Sequence, residues 1–266
     1  MANHRESPIL RLIYRFVGSK PPNRLVFSDP SGRTLTTRDL EAVTGQVQWA
    51  IIASGSVPAE AQQLHQKARV AGTKGDYRRA LELLERARAR APDWPHPVYD
   101  AAFTHLLLGH SVTAEELYAE VDRLAPRGFF TCKTTLDCLR RERAGALPAG
   151  FTRAFVTLEW LDDRPKKKAI LEDIVQRYPA FPPAWKELAP LVEDPDARWR
   201  AITKGLEGSP DGETRGVLLI NKAVILLWRG KRQEAVRILG ELALDPGSTL
   251  AGETLAKATL ARVTRN

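Results

Sequence analysis

Apolar residues recur at helical spacing through most of this chain, and glycine or proline interrupts them at regular intervals. From Pro58 onward the pattern predicts a helix over 58–73 ending near Gly72 and Gly75, and a second over 76–91 stopped by Pro92. Helices over 96–108 and 111–125 follow, divided by Gly109 and stopped by Pro126. Gly75, Ala80, Leu84 and Pro92 recur as Gly109, Ala114, Tyr118 and Pro126, each displaced by 34 positions. A helical pair of that length cannot bury its apolar face alone and must stack on copies of itself. The period then slips: the next comparable stop, Pro179, lies 53 residues after Pro126, which leaves room for one extra helix at about 131–144. Later stops at Pro210 and Pro246 return to near the unit length, and 248–263 reads as a capping helix.

Residues 1–56 differ. Ile9, Leu12, Ile13 and Phe16 share one helical face, and Lys20-Pro21-Pro22 ends that stretch. Arg24–Phe27 and Arg33–Leu35 then read as two short strands around the turn Ser28–Gly32. Thr36 with Asp39 resembles a capping box opening a helix through Leu40, Val43, Val47 and Ile51. This segment is expected to pack over the first repeat. The expected organisation is an N-terminal segment 1–56, two well-matched repeats at 57–128, an extra helix at 129–147, degenerate and later repeats at 148–246, and a cap at 247–266.

These residues resemble the tetratricopeptide repeat. Residues 61–94 place Leu64, Ala68, Gly75, Tyr77, Ala80, Leu84, Ala87 and Pro92 on its pattern, and 95–128 place Val98, Ala102, Gly109, Ala114, Tyr118 and Pro126. A shorter unit from Pro182 carries Trp185, Leu188, Ala189, Ile202 and Pro210; the last carries Leu219, Ala223, Gly230, Ala235 and Leu239. Between them Phe151, Phe155, Leu171 and Pro179 form a degenerate unit in which Lys167 stands where the pattern wants a small residue. The resemblance implies an all-α, right-handed solenoid of four to five helix pairs, here with a small N-terminal hairpin. It also implies a concave groove lined by the first helix of each pair. Carried over residue by residue, that groove would hold Gln62, His65, Arg69, His96, Tyr99, Asp100, Phe103, Arg153, Lys186 and Asn221. Some members hold a C-terminal carboxylate with Lys and Asn; His65 and Arg69 stand at those places in the first unit, so that clamp is not expected here.

Composition narrows the reading. Apolar residues make up 43% and charged residues 27%, the balance of a folded chain. The net charge of +8 is dispersed: 1–56, 57–128, 129–180 and 181–266 carry +3, 0, +3 and +2. A nucleic-acid surface concentrates its charge, so nucleic acid is not the expected partner. Arg exceeds Lys by 28 to 12, which with the many alanines fits a GC-rich bacterial genome. The apolar runs are too short to span a bilayer, Arg11 and Arg15 interrupt the would-be signal core, and a cytoplasmic location is expected.

Catalytic and cofactor signals are weak. Cys132 and Cys138 have neither disulfide-framework nor metal spacing and read as buried thiols of one helix. His105 and His110, five apart across a helix end, are poorly placed for a shared metal. Asp162-Asp163 and Glu193-Asp194 read as helix caps. The basic runs Arg164 with Lys166–Lys168, and Arg229 with Lys231 and Arg232, lack interleaved aromatics and read as solvated surface. The expectation is therefore a non-enzymatic adaptor with no metal or cofactor, binding a protein or peptide segment in its groove. A peptide- or ligand-sensing regulator is the second reading, and a helical-repeat RNA binder the third.

Overall fold

The computed structural model describes residues 23–44 and 57–264. The apolar helix expected over residues 8–17, and the far half of the helix expected through Val47 and Ile51, lie outside them. The chain divides into two compact units: one spans 49–218, and the other joins the N-terminal residues to 219–266. The division falls inside one long helix.

The larger unit is built from helical hairpins. α1 (Thr37–Thr44) belongs to the other unit; α2 (Ala59–Thr73) pairs with α3 (Tyr77–Arg90), and α4 (Pro95–Leu107) with α5 (Ser111–Leu124). The turns repeat as the 34-residue echo predicts. Gly75 and Gly109 both adopt left-handed φ, +79° and +83°, which closes one helix and reverses the chain into the next. Asp76 caps α3 by accepting the Arg79 N–H. Ala68, Ala80, Ala87, Ala102 and Ala114 are buried, and their small volume lets the helices approach closely. Leu64, Leu83 and Leu84 fill the first hairpin; Val98, Leu106, Tyr118 and Val121 fill the second.

The extra helix appears as α6 (Cys132–Arg143), and it faces two cores. Cys132, Leu136 and Leu139 close the second hairpin's core, while Cys138 joins the next one with Phe155, Leu171, Phe181 and Leu188. Beyond it come α7 (Phe151–Thr157), α8 (Arg164–Arg177), α9 (Pro182–Leu188) and α10 (Pro195–Glu207). Short 3-10 turns, Leu158–Trp160 and Ala189–Leu191, extend α7 and α9. Asp163 and Asp194 cap α8 and α10 through the N–H groups of Lys166 and Ala197, as expected of those acids. Lys167, the misfit at a small-residue position, is accommodated by extending its stem to Glu187, 3.4 Å away.

α11 (Gly212–Trp228) crosses into the second unit, which also contains α12 (Arg232–Leu244) and α13 (Leu250–Thr264). There β1 (Leu25–Ser28) and β2 (Thr34–Thr36) form an antiparallel hairpin turned at Gly32, φ +84°. The capping box is realised: Asp39 accepts the Thr36 N–H at 2.7 Å and opens α1. Within this unit the strands pack on α12 and α1 packs on α13, so the N-terminal segment covers the C-terminal helices. Gly240 makes that docking possible, because any side chain there would strike the ring of Phe27. Arg24 donates to the Thr264 carbonyl at 2.6 Å and ties the same surfaces together.

Candidate partner-binding face

His96, Tyr99, Asp100 and Phe103 are spaced i, i+3, i+4 and i+7 along α4 and therefore share one face. α2 flanks this face on one side. His65, on α2, is buried and places Nε2 2.8 Å from the Asp100 carboxylate; its ring also meets Trp94 and His96, with centroids 4.9 and 5.7 Å apart. His65 thus positions the face more than it presents itself to a partner. Arg69 is exposed one turn further along α2. Burial, the neighbouring His65 and Arg69 all depress the His96 pKa, against the pull of Asp100, so His96 is neutral near pH 7.

The corner after α5 builds the other flank. Gly128 takes φ +98° and Phe130, a bulky residue, takes φ +47°. A left-handed residue with a Cβ costs about 1–2 kcal/mol. The conformation leaves Phe129 1% exposed in the core and Phe130 51% exposed beside Tyr99. Ring centroids of Tyr99–Phe130, Tyr99–Phe129 and His96–Phe129 are 5.3, 5.3 and 4.9 Å apart, the first pair tilted and the other two edge-to-face. Tyr99 also hydrogen-bonds Thr131 at 2.9 Å, and burial drives its phenol pKa to about 12, so it stays neutral. Further along α4, Phe103 meets Trp160, whose indole is 59% exposed. The Arg153 guanidinium reaches the end of α4, 3.2 Å from where a side chain on Gly109 would begin.

Of the ten groove residues read from sequence, seven therefore converge on α4 and its flanks: His65, Arg69, His96, Tyr99, Asp100, Phe103 and Arg153. Gln62 is exposed at the start of α2, where it donates to the Val57 carbonyl. Asn221 belongs to the other unit and is half-buried there. Sequence reasoning missed Phe130 and Trp160. The only trace of the first is an aromatic pair directly after Gly128; the second carries no signal of its pairing with Phe103.

Lys186 sits elsewhere, in an ionic junction where α6, α9 and the start of α11 meet. It pairs with Glu187 at 3.2 Å, and Glu187 also faces Lys167. Burial opposes the charge of Lys186, but Glu187, Glu213 and Asp211 outweigh it and raise its pKa. Asp211 accepts the Glu213 and Thr214 N–H groups with one oxygen, while its other oxygen is buried without a partner among the described residues. Glu213 receives a long contact from the Thr134 N–H, 3.4 Å. Burial, reinforced by Asp211 and opposed by Lys186, lifts its pKa to about 7. From α6, Arg141 spans to Asp137 at 2.7 Å and to the carbonyls of Ala180 and Ser209 at 2.9 and 3.0 Å. The junction is structural: it binds the loops before α9 and α11 to α6.

The remaining candidates from sequence resolve simply. Cys132 and Cys138 are both buried on α6, and burial pushes their thiols far above the usual range. His105 and His110 bring their Nδ1 atoms to 3.2 Å, a hydrogen bond, and among the described residues no group of three or more metal-capable side chains gathers. No described helix is long and apolar enough to cross a membrane.

No protein-family model and no curated protein sequence matches the chain. Solved structures similar to it include residues 41 to the end of MamA from Desulfovibrio magneticus RS-1, 14% identical, with TM-score 0.34, covering 69% of this chain and 93% of that one. A thermophilic TPR protein of Thermus thermophilus is 20% identical with TM-score 0.32, covering 77% of this chain and all of that one. The flexible tandem repeat domain of a bacterial cellulose synthase component is 22% identical with TM-score 0.33, covering 79% and 94%. At that distance the likeness carries no weight of its own. The tetratricopeptide-like fold rests on the hairpins described above.

Proposed function

We propose that the protein is a non-enzymatic adaptor that binds a peptide or protein segment on the α4 face. One observation supports this most: Phe130 and Trp160, exposed by 51% and 59%, stand at two points of a face otherwise made of packed rings. Solvent-facing aromatics of this kind offer large contact area for little conformational cost, the usual composition of binding hot spots. Asp100 and Arg153 add one charge of each sign for orientation, and the neutral His96 and Tyr99 can exchange hydrogen bonds with an extended backbone.

A photo-crosslinking residue in place of Trp160 tests the reading, with the same residue in place of Val112, 71% exposed, as the control. The expected result is a discrete crosslinked protein from the Trp160 site alone, lost when Phe130→Gly is added. Equal capture from both sites, or capture indifferent to Phe130, rejects this face.

A further inference from the structure

A second surface lies between α8 and α10 and shares no residue with the α4 face. It is a cleft of about 1040 Å³. Its floor is apolar, formed by Trp185 and Leu188 of α9 with Leu191 and Val192 beyond it. Each wall carries two cations one helical turn apart: Arg164 and Lys168 on α8, Arg200 and Lys204 on α10. The basic run that the sequence suggests is mere solvated surface is thus divided. Lys167 turns to the ionic junction, while Arg164 and Lys168 line the cleft.

The hydrogen-bonding capacity of these cations is largely unspent among the described residues. Lys168 lies 3.7 Å from Glu172 and Arg200 3.8 Å from Asp194, both beyond hydrogen-bond reach. Arg164 makes one long contact to the Pro190 carbonyl, 3.4 Å, whereas Lys204 holds a short partner, Glu207 at 3.0 Å. Of the three carboxylates in the lining, Asp194 is committed to the first N–H groups of α10. Glu172 and Glu193 are the two that remain.

We propose that this cleft docks an acidic amphipathic helix of a partner protein. The wall from Arg164 to Glu172 runs about 12 Å, long enough for two turns of helix. The apolar floor takes the buried stripe of such a helix, and flanking Asp or Glu side chains reach the two cationic walls. The chain's own apolar stretch 9–17 is the wrong occupant, because Arg11 and Arg15 would bring like charge to the walls.

The test uses the full chain and fluorescein-labelled 15-residue peptides: a Leu/Glu amphipathic helix, its Leu/Lys counterpart, and a scramble of the acidic one. Anisotropy should show the acidic peptide binding at least about tenfold more tightly than either control, weakening as salt is raised. Lys168→Glu with Arg200→Glu should lower its affinity about tenfold or more, and Lys204→Glu should act in the same direction. Arg200 and Lys204 are exposed and Lys168 is half-buried, with none of them in the apolar core, so circular dichroism should stay unchanged. Trp160→Ala, on the other face, should leave this binding intact and so separates the two sites. Equal affinity for the scramble or the basic peptide, or indifference to the charge reversals, overturns the proposal. So does capture by anionic phosphatidylserine vesicles without binding of the acidic peptide, which would assign the cleft to a lipid surface.

Discussion

Between α2 and α5 the helices approach one another through alanine; between α6 and α11 an apolar core is joined by a junction of charged side chains. In the first region Ala80, Ala87, Ala102 and Ala114 are 0–2% exposed, and the spaces between helices are filled by leucine, valine and Tyr118. In the second, Lys167 occupies a small-residue position, Arg141 holds two loop carbonyls, and Lys186, Glu187, Asp211 and Glu213 gather at the helix ends. In the regular region ion pairs such as Arg88–Glu120 at 2.7 Å and His65–Asp100 at 2.8 Å link helices around apolar cores. In the irregular one a broken period leaves loop carbonyls and helix termini facing the core, and charged side chains supply their partners. The candidate binding face stands at the border, with α4 from the regular region and Phe130 and Trp160 from the corners where regularity ends.

Mutations can break this contrast at either end. The largest effect should come from Leu84→Ala, which empties a site 2% exposed in the first hairpin and should cost about 2–5 kcal/mol, read by urea unfolding. That loss should be the same at pH 5 and pH 8. Arg141→Ala removes three interactions at once and strands Asp137, with an expected cost of about 2–3 kcal/mol; Lys at 141 should restore only part of it, lacking the planar fork.

Glu213→Gln sharpens the comparison because its sign depends on pH. The folded carboxyl has a pKa of about 7 against an ordinary 4.5, so its contribution to stability is complete below 4.5 and is lost as pH rises through 7. The variant should match the wild type near pH 4.5 and exceed it by about 1–3 kcal/mol at pH 8, measured as the difference between their denaturation curves. A pH-independent difference would remove the junction from the account of stability. The smallest effect belongs to Phe130→Gly, which relieves a left-handed φ of +47° and should leave stability unchanged or raised by up to about 1 kcal/mol.

How much of this was legible follows the same division. Where one residue type acts on its own neighbours, the sequence is explicit. Gly75 and Gly109 mark the reversals, Asp163 and Asp194 the caps, and helices expected over 58–73, 111–125 and 131–144 appear as Ala59–Thr73, Ser111–Leu124 and Cys132–Arg143. His96, Tyr99, Asp100 and Phe103 follow from the repeat resemblance, which assigns them to the first helix of a pair, and their spacing on α4 then sets them on one face. Contacts between residues far apart in the chain left no such mark. Phe27 over Gly240 decides where the N-terminal hairpin docks, yet nothing near either residue announces the other. Thr134 meeting Glu213, and Phe103 meeting Trp160, are equally silent. Lys167 breaks the small-residue pattern in sequence, and only its distant partner Glu187 accounts for it.

Hydrogen–deuterium exchange of the chain, alone and with the protein crosslinked from the Trp160 site, tests the central claim most directly. The account predicts slowed exchange in residues 94–108 and 128–133, with residues 195–207 unchanged. Protection confined to residues 164–207, with 94–108 exchanging as in the free chain, would contradict it.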